Sequence, residues 1–177
     1  FWTNENCVPL SDHSNNYGSS KLLLLDKIPL LKFNIFRING EADPVVESER
    51  YSTILQLELP SENGLPCFDF IILDVGEDGH TAGIFKDNLD LFNTNKLTAQ
   101  TFNASKGITN ITITGSVINN SKEVAFIAGG ERRAGVIAKI LNDTEVSTQY
   151  PAANVKPKSE MFYWFLDRDS SSYFNFE

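Results

Sequence analysis

The sequence predicts an α/β domain with an open, mostly parallel sheet, and three observations predict it. Phe68–Leu73 (FDFIIL) is a nearly continuous apolar run bounded by Pro66 and Gly76, the pattern of a parallel strand covered on both faces by helices. Strand-like runs alternate with helical patterns along the chain, as crossover units require. A glycine-rich loop, Val75-Gly76-Glu77-Asp78-Gly79-His80, follows directly on the apolar run. The carboxyl ends of strands are where open α/β sheets hold ligands.

Taken in order, the chain opens on Phe1-Trp2-Thr3, which reads as the end of an apolar strand with no initiator methionine or targeting segment. Upstream residues are therefore expected to be missing. Pro9–Gly18 is rich in Ser, Asp and Asn and reads as a surface loop, leading into a short helix over Ser19–Leu25. Lys32–Ile38 (KFNIFRI) alternates polar and apolar residues, which suits a half-buried strand. Asp43 is placed to cap a helix that starts at Pro44 and carries apolar positions from Val45 to Leu57. Beyond Phe68–Leu73, strands are expected at Ile111–Thr114, Val124–Ala128 (VAFIA) and Met161–Leu166 (MFYWFL), the last preceded by the Pro151–Pro157 loop. Glu131–Leu141 turns Ala134, Ile137, Ile140 and Leu141 toward one helical face, with Gly129 and Gly130 before it and Asn142 as its stop.

The 177 residues, 41% of them hydrophobic, suffice for one sizeable core and a single domain. No apolar run approaches the roughly 20 residues that would cross a bilayer. A formal charge of −8 argues against a nucleic-acid binder, which needs a basic surface. It leaves room for a phosphorylated metabolite in a locally basic pocket. Cys7 and Cys67 give neither a disulfide framework nor zinc spacing, so a reducing cytoplasm is the simpler setting. Asn103-Ala-Ser, Asn110-Ile-Thr, Asn119-Asn-Ser and Asn142-Asp-Thr are formal glycosylation sequons, but Asn, Ser and Thr are abundant throughout and the motif is short.

The segment richest in chemistry is Phe68–Phe85, FDFIILDVGEDGHTAGIF. Its glycines permit a sharp turn and close approach to a ligand. His80 contributes a side chain that exchanges protons easily near neutral pH. A short helical stretch is expected from about Thr81, whose first amides would face an anion. The plain alternative is that Asp-Gly-His forms an ordinary solvated turn.

This segment resembles the 6-phosphogluconolactonase family, within the wider group that includes glucosamine-6-phosphate isomerases. That family carries an apolar strand followed by Gly-x-Gly-x-Asp-Gly-His-Thr-Ala-Ser-Leu-Phe; here the residues are Val75-Gly76-Glu77-Asp78-Gly79-His80-Thr81-Ala82-Gly83-Ile84-Phe85. Asn4-Glu5-Asn6-Cys7-Val8-Pro9 with Asn16-Tyr17-Gly18 resembles its Asp-Glu-Arg-x-Val-Pro and Ser-Asn-Tyr segments. Asn110-Ile111-Thr112-Ile113-Thr114 with Ile118-Asn119 resembles its Arg-Ile-Thr-Leu-Thr and Ile-Asn segments. Tyr150-Pro151-Ala152-Ala153 and Trp164-Phe165-Leu166-Asp167 are similar to its closing motif.

The resemblance implies a doubly wound sheet with helices on both faces and hydrolysis of 6-phosphogluconolactone in the oxidative pentose phosphate pathway. It implies a cytoplasmic enzyme without metal or other cofactor, with a sugar phosphate lactone as its partner and neither nucleic acid nor membrane. Fusion to glucose-6-phosphate dehydrogenase, known in the wider family, also comes into view. His80 would be the general base on water, with Asp78 orienting it or bracing the loop. Gly76 and Gly79 amides are candidate oxyanion donors. Asn4, Asn6, Asn110 and Arg133 are the candidate substrate contacts. Arg133 stands where the family has lysine; a guanidinium there can grip phosphate, or it can belong to a solvated helix face with Arg132.

The departures are specific. Asn4 and Asn6 replace the family's Asp and Arg, Asn110 replaces Arg, and Asp74 stands where glycine is usual. Losing two arginines removes fixed charge while keeping some hydrogen-bonding capacity. Lys106, Lys122 and Lys139 are the lysines that could replace them. A non-catalytic binding or scaffolding descendant is accordingly the second hypothesis, and an amino sugar phosphate isomerase the third.

Overall fold

The computed structural model describes residues 1–142 and 145–174. In chain order its elements are β1 (Asn4–Asn6), α1 (Asn16–Leu23), α2 (Pro44–Glu58), β2 (Ser61–Glu62), β3 (Leu65–Pro66), β4 (Phe70–Leu73), β5 (Thr98–Asn103), β6 (Ile108–Ile113), α3 (Gly115–Asn119), β7 (Glu123–Ala128), α4 (Ala134–Leu141) and β8 (Phe162–Leu166). Three strands form a parallel sheet in the order β4-β7-β8, and three form an antiparallel sheet in the order β1-β6-β5. The α/β reading holds, with the antiparallel sheet as an added wall.

The parallel sheet owes its core face to strand alternation. Ile71, Leu73, Val124 and Phe126 are buried, and α4 lays Ile137 and Ile140 into the same core. The opposite face carries Phe70, Ile72, Ile127 and Phe165, each about half exposed. The expected covering of both faces is therefore met on one face only in this chain. Helix α2 begins as its sequence requires: Asp43 Oδ1 accepts from the Val45 and Val46 amides at 3.0 and 3.1 Å, with Pro44 in the first turn. Its Tyr51 and Leu55 are fully buried, and the Tyr51 hydroxyl accepts from Trp2 N and donates to Trp2 O, both at 2.9 Å. That ties the start of the chain to the core.

The expected strands at Val124–Ala128 and Met161–Leu166 match β7 and β8 to within a residue at each end. The expected helix Glu131–Leu141 divides into a 3-10 turn over Glu131–Arg133 and α4, and Asn142 is its C-cap. The first strand lies at Asn4–Asn6 rather than Phe1–Thr3, and the first helix begins at Asn16. Two expectations fail. Lys32–Ile38 holds a 3-10 turn at Lys32–Asn34 and pairs with no strand among the described residues; alternation marks two faces but supplies no ladder partner. No helix starts near Thr81: Ala82 takes φ +49°, Thr81 bridges back to Ile84, and a 3-10 segment begins only at Lys86.

Burial also bears on the sequons. Asn103 and Asn110 are 6% and 2% exposed, and the Asn119 side chain donates to Asn154 O at 3.0 Å. Asn103 and Asn110 are thus buried in the folded chain, and Asn119 is partly buried. Residues 143–144, which complete the sequon at Asn142, lie outside the described residues. Among the described residues no helix is long and apolar enough to cross a membrane.

Candidate active site

Strand β4 delivers the chain into the Asp74–Phe85 loop, and the loop is locked by its own backbone. Gly76 N donates to His80 O and Gly79 N to Gly76 O, each at 2.9 Å. From behind, Ala152 N donates to Gly79 O at 3.0 Å, so the Tyr150–Ala153 segment serves as a backing plate. Gly79 has φ +83°, which favours glycine, and a Cβ there would stand 2.5 Å from Tyr150 Cδ1. Gly76 is needed for another reason: a Cβ would overlap the imidazole of His80 and come within 2.7 Å of Asp78 Oδ1.

His80 is held from two sides. Its Nδ1 lies 2.5 Å from Asp78 Oδ1, which also accepts from the His80 amide at 3.1 Å. The Phe85 ring packs against the imidazole at 5.0 Å between centroids. An ionised Asp78 at Nδ1 favours the tautomer with its proton on that nitrogen, which leaves the lone pair on Nε2. The hydrogen bond from His80 holds the Asp78 carboxyl below the ordinary aspartate range, reinforcing that tautomer.

The opposite wall comes from the antiparallel sheet. Asn6 pairs with Asn110, and Asn110 with Thr101; Asn4 pairs with Thr112. Directly paired residues share a face, so these polar side chains turn to the loop together. Thr112 Oγ1 accepts from Gly83 N at 3.0 Å, and Thr101 Oγ1 donates to Gly83 O at 2.6 Å, docking loop to sheet. A Cβ on Gly83 would meet Thr112 Cβ at 2.9 Å.

Between these walls is a cavity of about 150 Å³ lined by Asn4, Asn6, Asn16, Asp74, His80, Ala82, Phe85, Asn103, Lys106 and Asn110. Larger hollows elsewhere contain none of this loop. The wall is anchored by Glu5, fully buried, whose carboxylate accepts from the amides of Asn6, Asn16 and Tyr17 at 2.9, 2.7 and 2.7 Å. Burial raises its pKa, and those amides and the Arg37 charge act against the rise.

Of the residues singled out from sequence, His80, Asn4, Asn6 and Asn110 come together on this cavity, and Asp78 stands behind His80. Gly76 and Gly79 do not line it; their amides are engaged within the loop and are not aimed at a ligand, so their part is to shape it. Arg133 is likewise elsewhere. Its Nε donates to Val75 O at 2.7 Å and its Nη1 to Gly129 O at 2.9 Å, clasping the ends of β4 and β7. Sequence reasoning missed Asn16, Asn103 and the organising role of Glu5. Asn103 is marked only by its place before the β5–β6 turn, and Glu5 only by being a carboxylate between two pocket asparagines.

Residues 1–164 match the glucosamine-6-phosphate isomerases/6-phosphogluconolactonase family. The chain belongs to that family. Among relatives, it is 34% identical to a 6-phosphogluconolactonase of Haemophilus influenzae, over 95% of this chain and 70% of that protein. It is 33% identical to a human 6-phosphogluconolactonase, covering 94% and 66%, and 30% identical to one of Treponema pallidum, covering 90% and 66%. The chain thus spans about two thirds of the length of these family members. In fold it is similar to a solved structure called devB protein, with a TM-score of 0.92 and 33% identity over 97% of this chain and 72% of that one. The 6-phosphogluconolactonase of Thermotoga maritima gives a TM-score of 0.80 at 25% identity, covering 93% and 70%.

Proposed function

We propose that this chain hydrolyses 6-phosphogluconolactone to 6-phosphogluconate, with His80 as the proton-transfer residue. The observation that carries the reading is the His80–Asp78 pair, 2.5 Å apart, with the imidazole on the wall of a polar cavity. A lactone is an activated ester and needs a water nucleophile, a base for its proton and help for the developing oxyanion. His80 Nε2 takes a proton from water as the water oxygen bonds to the lactone carbonyl carbon. The tetrahedral intermediate then collapses with cleavage of the carbon–ring-oxygen bond. The imidazolium returns its proton to that ring oxygen, which becomes the free hydroxyl of the acid.

Asp78 is a positioning residue, fixing the tautomer that leaves Nε2 unprotonated. The side chains of Asn4, Asn6 and Asn110, unlike the loop glycines, line the cavity; Asn6 Nδ2 gives one N–H to Ser14 O and Asn110 Nδ2 one to Ile108 O, and each keeps a second. They offer hydrogen bonds to the oxyanion and the sugar hydroxyls. Cys7 and Cys67 are both free thiols, which fits a reducing cytoplasm as the setting of this activity. Lactone opening by the protein and by His80→Ala, each corrected for spontaneous hydrolysis, tests the proposal. The variant is expected to lose about 10²–10⁴-fold in kcat. Equal rates would refute it.

A further inference from the structure

We infer that Lys106, at the tip of the β5–β6 hairpin, binds the phosphate of the substrate and thereby replaces the charge absent at Asn6 and Asn110. The inference rests on the lactonase reading and adds the residue that selects for a phosphorylated lactone. Two positions where the family carries arginine are neutral here and sit side by side across β1 and β6. Lys106 is the one lysine or arginine among the described residues that line the cavity. Other nearby cations are committed. Arg133 holds the Val75 and Gly129 carbonyls, Arg37 holds Glu41, and Lys86 donates to Gln149 Oε1 at 3.2 Å. Lys122 is paired with Asp69 at 2.7 Å, and Lys139, on α4, does not line the cavity. Lys106 has no carboxylate within ion-pair distance among the described residues.

Its backbone is fixed while its ammonium is free. Asn103 Oδ1 accepts from Lys106 N at 3.1 Å and from Ser105 Oγ at 2.7 Å, and Gly107 N donates to Asn103 O at 2.8 Å. Gly107, at φ +65°, turns the chain into β6. The lysine is thus planted on a hydrogen-bonded turn beside Asn103 and Asn110, and it is exposed and able to reach a ligand. Asp74 lines the same cavity. On a chain of net charge −8, a phosphate dianion is repelled by the Asp74 carboxylate and drawn to the Lys106 ammonium, which sets the direction in which the lactone enters. The asparagines, being neutral, meet its hydroxyls.

The test uses Lys106→Ala and Lys106→Arg in the 177-residue protein, with circular dichroism confirming that both fold. Initial rates are measured on 6-phosphogluconolactone and on unphosphorylated gluconolactone, and 6-phosphogluconate binding is measured by calorimetry. For Lys106→Ala we expect a loss of about tenfold to a hundredfold in kcat/KM on the phosphorylated lactone, the range of one charge-assisted hydrogen bond. The loss should fall on KM. The unphosphorylated lactone should be unaffected, product binding should weaken by the same factor, and Lys106→Arg should recover most of it. No loss, or an equal loss on both lactones, overturns the assignment. Binding of 6-phosphogluconate that depends on Lys106 without turnover by the unaltered protein would sink the catalytic reading and sustain this one. An unaltered protein that neither turns over nor binds overturns both.

Discussion

Alanine at Gly76 offers a clean separation of the imidazole's placement from the integrity of the fold. Gly76 is not among the glycines with positive φ, so its backbone conformation is open to alanine. Its amide donates to His80 O and would continue to do so. What the added methyl meets is the His80 ring, which it would overlap, and Asp78 Oδ1 at 2.7 Å. The ring must therefore retreat by roughly 1 Å or more, a misplacement that typically costs about a hundredfold in rate. If it leaves Asp78 altogether, the loss approaches the about 10⁴-fold upper range for a general base. His80 sits on a cavity and can swing outward, so the melting temperature should fall by only a few degrees. The assay is initial-rate lactone hydrolysis beside a thermal melt. A Gly76→Ala protein that keeps its rate within about threefold, with the methyl seen in place, would refute the claim that the His80–Asp78 geometry drives the reaction.

Replacing Asp78 with Asn keeps the size of the side chain but offers an NH₂ to Nδ1, favouring the tautomer with a proton on Nε2. We expect kcat on the lactone to fall about a hundredfold or more with KM little changed, read from full saturation curves. The carboxyl of Asp78 is depressed by its bond to His80, so the stability it confers is present above the ordinary aspartate pKa and lost as pH falls through the depressed value. The gap in melting temperature between protein and variant should therefore be full near pH 6 and shrink as the pH falls below the ordinary aspartate range. Arg133→Gln removes charged donors from the Val75 and Gly129 carbonyls and should cost about 2–4 kcal/mol in urea unfolding. In the fraction that remains folded, KM for the lactone should be preserved, whereas a phosphate-binding Arg133 would raise it.

What could be read from sequence was local. The Gly76–His80 turn is largely specified by the residues within it: Gly76 leaves room for His80 and Asp78, and Gly79 supplies the positive φ, although the crowding of Gly79 by Tyr150 comes from far along the chain. Likewise Asp43 and Pro44 contain their own cap. A short apolar run sufficed for β7 and β8, which pair with each other and, for β7, with the apolar β4. Thr98–Asn103 (TAQTFN) shows no such pattern and is a strand because β6 pairs with it along its length. Lys32–Ile38 shows the pattern and lacks the partner. Arg133 illustrates a second limit: a guanidinium beside a glycine turn can serve an anion or two main-chain carbonyls, and only the tertiary placement decides. Lys106 was visible as a residue, but its neighbourhood exists only once β1 and β5 flank β6.

Pairing of β1 with β6 joins Asn4 to Thr112 and Asn6 to Asn110, bridging more than a hundred intervening positions. Such distant closures are slow, since the loop entropy must be met before the pairing can reward it. The asparagine wall is therefore expected to assemble late in refolding, after the nearby β5–β6 hairpin. In a stopped-flow experiment, recovery of ligand binding should lag behind the return of secondary structure.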